Sequence, residues 1–185
     1  TDLIYNGGNR PTAPGGTDYI ESLGLEPGKY IVTIGRFVNE KGFHDLIEAY
    51  KRLGRSDIKL AIAGDSDHAG QYSGELKRTG KEAGVVFTGF IKGEKLNQLG
   101  HNAALFVLPS YHEGLPIALL EAMSEELDVV VSDIPANRIK ELSPDDFFPV
   151  GDVDALAAKI GEKLDRHLTP RRYDLTNYNW DSIAE

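Results

Sequence analysis

The chain contains no cysteine, which excludes disulfides, thiol nucleophiles and cysteine-ligated zinc together. No apolar run approaches the roughly 20 residues needed to span a bilayer. The start, TDLIYNGGNR, lacks the basic residues and apolar middle of a secretion signal, so a cytoplasmic location is the default expectation. Cations are few: 20 Lys and Arg stand against 29 Asp and Glu, and a net charge of −9 argues against a nucleic-acid partner, which needs a basic face. The small basic cluster Arg166, His167, Arg171 and Arg172 reads as the solvated face of a helix end. Also missing are the G-x-G-x-x-G of dinucleotide sites, the P-loop lysine motif and the G-x-S-x-G nucleophile elbow. His112-Glu113 begins like a zincin motif, but Pro116 stands where the second histidine must be.

What is present belongs to an ordinary globular protein. With 185 residues, 41% hydrophobic and 26% charged, the chain is long enough for one domain with a sizeable core. From Tyr30 onward short apolar runs alternate with segments of helical period. KYIVTIG is followed by FHDLIEAYKRL, with Phe43, Leu46, Ile47, Tyr50 and Leu53 on one stripe. IKLAIAG, VVFTG, ALFVLPS and DVVVSD each precede a further helical segment, the last of them PANRIKEL. A short strand over 147–150 then leads into DVDALAAKIGEKLDRHL, a helix capped by Asp152.

Strands of continuous Val, Ile, Leu and Ala are buried on both faces, and short helical crossovers make them parallel neighbours. The expected fold is therefore α/β, a doubly wound, Rossmann-like parallel sheet in a single domain. Residues 1–29, rich in Gly, Pro and Asn, read as a linker; 30–168 form the domain; 169–185 are a tail ending in the start of a helix.

Ligands of such sheets sit outside the carboxyl ends of the strands, so the loops after Gly35, Gly64, Gly89 and Pro109 are where chemistry is expected. The stretch HEGLPIALLEAMSEE follows one of these strands. Its Pro116 suits the first helical position, Gly114 leaves room for a ligand near the backbone, and the amides at the helix start suit an anion. A carboxylate beside an anion is unfavourable unless neutral donors such as sugar hydroxyls satisfy it, which gives Glu113 and Glu121 a role as hydroxyl acceptors. The residues alone leave a second reading open: Glu113 makes a loop hydrogen bond and Glu121 pairs with a surface lysine. Arg36 and Lys41, after the first strand, could neutralise a diphosphate or be ordinary surface cations. Asp65, Ser66 and Asp67, followed by His68, suggest either a divalent metal or a helix cap.

Taken in order, IVTIGRFVNEKGFHDLIEAYKRL, LAIAGDSD, VVFTGFI, ALFVLPSYHEGLPIALLEAM and VVVSDIPANRIKEL resemble the nucleotide-sugar-binding, carboxyl-terminal half of retaining glycosyltransferases of family 4, which have the GT-B fold. Glu113, seven residues, then Glu121 is that family's signature pair, accompanied by Arg36 and Lys41. The resemblance implies that Arg36 and Lys41 bind the donor diphosphate beside Gly35, that Glu113 contacts the donor sugar, and that Gly114 and Leu115 amides hold sugar or phosphate. It implies that Glu121 binds the ribose diol and that Phe90 and Ile91 lie along the base. It implies no metal and no cofactor beyond the nucleotide-sugar donor. A separate amino-terminal acceptor domain would be needed, and membrane contact would come only through that half. A non-catalytic nucleotide-sugar-binding module and a nucleotide-sugar epimerase share the architecture. Where family members carry a small residue, glycine and proline after the signature helix, this chain has Glu125, Glu126, Leu127 and Asp128, which alters the turn into the next strand.

Overall fold

A computed structural model of the chain describes residues 16–66, 70–166, 170–176 and 178. Six parallel strands form one sheet in the order β3-β2-β1-β4-β5-β6, with β1 Tyr30–Ile34, β2 Lys59–Ala63, β3 Val86–Gly89, β4 Leu105–Leu108, β5 Val129–Ser132 and β6 Phe147–Phe148. The doubly wound expectation is met. Alternate residues of the apolar strands serve opposite faces, as the pleat requires. Ile31, Leu60, Ile62, Leu105, Val107 and Val130 meet α2 (Phe43–Leu53) and α6 (Val153–Asp165) on one face. Val32, Ala61, Phe106, Leu108, Val129 and Val131 meet α4 (Glu94–His101) and α5 (Ile117–Ser124) on the other. The remaining helix, α3, spans Gln71–Glu82, and Asp152 caps α6 by accepting from the Ala155 amide at 2.9 Å.

Three expectations need correction. Within the segment read as a linker, a short helix, α1 (Asp18–Ser22), forms, and Ile20 and Leu25 are fully buried against the second face. Tyr19 and Leu23 pack partly against the same core, but five helical residues are too short a run to register as a period. PANRIKEL is no helix: one 3-10 turn, Pro135–Asn137, is followed by irregular chain. The Asn137 side chain turns back to donate to the Ser132 carbonyl at 3.0 Å, competing with helix propagation. Finally, Arg171 is not on a solvated helix end. It lies in the chain after α6 and pairs with Asp128 and Asp146, whereas Arg172 is exposed and His167 lies outside the described residues, as does NYNWDSIAE, expected to start a helix, except for Tyr178.

The turn after α5 takes a definite form. Leu127 N–H donates to the Ala122 carbonyl and Glu126 N–H to that of Met123, each at 3.1 Å, and Glu126 adopts φ 60°. This is a Schellman closure with glutamate in the left-handed position that glycine occupies at least cost. Glu126→Gly is expected to stabilise the domain by about 1 kcal/mol, read as a rise of about 3 °C in the unfolding midpoint. An unchanged or lower midpoint would show that the glutamate side chain offsets its backbone strain.

Candidate functional site

In the observed strand order β1 lies between β2 and β4, so the chain direction of the winding reverses there and a crevice opens at the carboxyl ends of β1 and β4. Gly35 and Arg36 leave β1 at that point, and Lys41 closes the 3-10 turn Asn39–Lys41 just ahead of α2. Glu113 comes from the loop after β4. The two loops meet: Lys41 Nζ donates to Glu113 Oε1 at 2.7 Å and Oε2 at 2.9 Å, with the Glu113 side chain only 7% exposed and that of Lys41 22%. Ser110 Oγ, also buried, donates to the same Oε1 at 2.6 Å.

Gly42 makes this meeting possible. It adopts φ 65°, and a Cβ there would stand 2.2 Å from the Pro109 carbonyl oxygen. Only glycine allows the two backbones so close. The Tyr111 amide donates to the Glu40 carbonyl at 2.8 Å and ties the loops together a second time. Neither Gly42 nor Ser110 was singled out from the sequence. The signal for Gly42 is its place between a lysine and the first residue of an apolar helical stripe; for Ser110 it is a serine at the exit of a buried strand.

Other candidates lie along the same edge. Arg36 is exposed directly after β1. Gly114 and Leu115 are exposed ahead of α5, and nothing lies within 4 Å of where a Cβ on Gly114 would be, so packing does not demand glycine there. Pro116 departs from expectation: with ψ 67° it flanks α5 instead of opening it. Phe90 follows Gly89 at the end of β3 and is 57% exposed, while Ile91 packs partly against the second core.

Glu121 stands one turn into α5 and is not brought into contact with Glu113. No described lysine pairs with it, so the surface ion pair is excluded among the described residues. Burial, and then the charge of Glu125 one turn on, push its carboxyl up to about 7. Its neighbours Leu119, Leu120 and Met123 are buried and contribute about 2 kcal/mol each, which holds the helix in place against that cost. Because the folded value lies above the unfolded one, Glu121 weakens the fold as pH rises from about 4.5 to 7. Glu121→Gln is therefore expected to raise stability at pH 8 by about 2 kcal/mol and to flatten the rise in unfolding midpoint between pH 8 and 5. An unaltered pH profile would exclude a buried carboxyl there.

Asp65 is paired with Lys77 at 2.7 Å and accepts from the Ser66 amide, and these contacts hold its carboxyl low. Asp67 and His68 lie outside the described residues. Among the described residues no cluster of three His, Asp or Glu could hold a metal, and no helix is long and apolar enough to cross a membrane.

Comparison with known proteins bears on the family and the fold. The family model described as glycosyl transferases group 1 matches residues 17–180. An uncharacterized glycosyltransferase of Methanocaldococcus jannaschii is 31% identical over 181 residues, 91% of this chain and 46% of that protein. A 2-deoxystreptamine N-acetyl-D-glucosaminyltransferase of Streptomyces fradiae is 29% identical over 163 residues, 84% of this chain and 39% of that protein. The chain thus spans less than half the length of these curated relatives. Among solved structures, the catalytic domain of cholesterol-α-glucosyltransferase from Helicobacter pylori superposes with TM-score 0.63 at 26% identity, covering 75% of this chain and 87% of that one. The parallel sheet matches GT-B glycosyltransferase structures. With a family model covering nearly its whole described length, the chain belongs to the glycosyl transferases group 1 family.

Proposed function

We propose that this chain is the donor-binding domain of a retaining glycosyltransferase of family 4, which moves a sugar from a nucleotide diphosphate sugar to an acceptor held by a separate amino-terminal domain. The observation that carries the reading is the meeting of Lys41 and Glu113 at the reversal point of the sheet. A cation and a carboxylate held together there are poised to part when a ligand presents both a diphosphate and sugar hydroxyls. Lys41 then joins Arg36 in neutralising the departing diphosphate, and Glu113 accepts from the donor sugar.

Charge neutralisation by Arg36 and Lys41 does the work a divalent metal does elsewhere, so the reaction proceeds without one. A donor phosphate oxygen takes the acceptor's proton on the face from which the nucleotide leaves, which retains the configuration. The edge from β3 to β4 spans three inter-strand steps, roughly 14 Å. That length accepts the base at Phe90 and Ile91 and the sugar at Glu113, with phosphate near the Gly114 and Leu115 amides. A ribose diol supplies two donors to the Glu121 carboxyl, which has none among the described residues, and so favours its ionised form.

Calorimetric titration of the chain with UDP, GDP and ADP tests this. One of them is expected to bind, with Lys41→Ala weakening it at least tenfold, about 1.4 kcal/mol, and Glu121→Ala weakening it comparably. Failure of all three to bind, or variants that bind as well as the parent, would sink the site assignment.

A further inference from the structure

Lys41 is not the only group holding Glu113. Behind the carboxylate runs a line of buried hydrogen bonds that begins in the 3-10 turn after β5. Asn137 Nδ2 donates to the Ser132 carbonyl at 3.0 Å and to Ser132 Oγ at 3.2 Å. Ser132 Oγ in turn donates to the Ser110 carbonyl at 2.5 Å, and Ser110 Oγ donates to Glu113 Oε1 at 2.6 Å. Asn137, Ser132 and Ser110 are all 0% exposed, so water offers none of them an alternative partner.

Each hydroxyl has one hydrogen, and each spends it in the direction of Glu113. The Ser132 hydroxyl, fixed by the Asn137 amide, fixes the Ser110 backbone, and the Ser110 hydroxyl then has the carboxylate as its acceptor. A buried donor aimed at an ionised acceptor is strong, and leaving it unpaired is costly. The two partners of Glu113 therefore differ in kind. Lys41, on a flexible stem with its side chain 22% exposed, is able to leave; Ser110 is not.

We propose that Ser110, braced by Ser132 and Asn137, is a positioning residue that keeps Glu113 Oε1 in place when Lys41 turns to the diphosphate, so that Oε2 alone is presented to a donor-sugar hydroxyl. This rests on the donor-site reading above and adds to it a source of discrimination between a nucleotide sugar and the bare nucleotide. Without the brace the carboxylate would be free to rotate and to follow Lys41.

The test compares UDP, GDP and ADP with UDP-glucose, GDP-mannose and ADP-glucose by calorimetry on the intact chain. For the pair that the parent binds best, Ser110→Ala is expected to leave nucleoside diphosphate affinity within about twofold and to weaken the nucleotide sugar about tenfold, the loss of one hydrogen bond to a charged group. Ser132→Ala should show the same split to a smaller extent, and Ser110→Thr, which keeps the hydroxyl, should restore sugar binding. Equal losses for both ligands, or no loss, overturn the proposal while leaving the donor site intact. No binding by the parent overturns the donor-site reading and this proposal together. A second measurement needs no nucleotide: a double-mutant cycle of Ser110→Ala and Glu113→Gln on the unfolding midpoint is expected to be non-additive. Additive effects overturn the proposal whatever the nucleotides do.

Discussion

Asp146→Ala is expected to lower stability by about 4 kcal/mol, a fall of about 10 °C in the unfolding midpoint, because it breaks a buried charge cluster from one side. Asp146 is fully buried at the 3-10 turn after which β6 begins. Lys163 Nζ, itself 3% exposed on α6, donates to Asp146 Oδ1 and Asp128 Oδ1, both at 2.7 Å. Arg171 forks onto both Asp146 oxygens, and the Ser143 amide donates to Oδ2 at 2.7 Å. Without Asp146, buried Lys163 and half-buried Arg171 share the single carboxylate of Asp128, and Lys163, 3% exposed, has no water to replace the loss. Replacing the charge alone, with Asn, should cost less than Ala but more than a surface substitution. A midpoint within 3 °C of the parent for Asp146→Ala would mean that solvent reaches the cluster.

The same residue predicts an acid transition. Burial pushes the Asp146 carboxyl up, but the hydrogen bonds from Arg171 and Lys163 outweigh it and hold the group at about 2. A folded value below the unfolded one stabilises the protein at any pH above the unfolded value of about 4. That contribution, about 2 kcal/mol, is lost as pH falls from about 4 to 2. Unfolding followed across that interval should be shifted in Asp146→Asn, whose slope there should be shallower than the parent's.

The second large effect is expected at Gly42. An added methyl would stand 2.2 Å from the Pro109 oxygen and 3.0 Å from its carbon, at φ 65°. The left-handed backbone alone costs about 1 to 2 kcal/mol, and moving the loop after β4 brings the total to about 3 to 4 kcal/mol. The loop that must move carries Ser110 and Glu113. Gly42→Ala is therefore expected both to lower the unfolding midpoint by about 8 °C and to displace Lys41 and Glu113 from the crevice, weakening nucleotide-sugar binding at least tenfold, about 1.4 kcal/mol, in a chain that still folds. A variant with parent-like stability and binding would show that the two loops are not in contact.

Much of the architecture was legible because a buried parallel strand has a strong local signature. YIVTI, KLAIA, LFVL and VVVS need no partner in view to be recognised, and Phe43, Leu46 and Ile47 declare the buried stripe of α2. The candidate site was legible to the extent that it follows from chain direction: parallel strands put the loops holding Arg36, Lys41 and Glu113 on one edge. The misreadings share a cause. In PANRIKEL the apolar period is real, but the Asn137 side chain finds a better partner in Ser132 than in a helical turn. The helix α1 forms because Ile20 and Leu25 have a second core to enter, which no property of the segment announces. Lys163 is the instructive case. It falls on the stripe of Leu156, Ile160 and Leu164, where a lysine breaks the pattern, and the break marks a buried charge whose partners lie 17 and 35 residues away.

By itself, then, the sequence determined the succession of the six strands and of the helices between them, α1 and PANRIKEL excepted, the buried stripe of α2, and the edge of the sheet where ligands would meet charged side chains. These rest on periodicity, capping and turn chemistry, which act over a few residues. Only the tertiary structure decided that Lys41 is held by Glu113, that Ser110 stands behind that carboxylate, that Gly42 is the point of contact between two loops, and that Asp128 belongs to a buried cluster. Apart from the Ser110–Glu113 bond, whose residues are three apart, each of these depends on the approach of groups distant in the chain. Their distances are set by how the two faces of the sheet pack, and side-chain hydrogen bonds form or fail within tenths of an ångström.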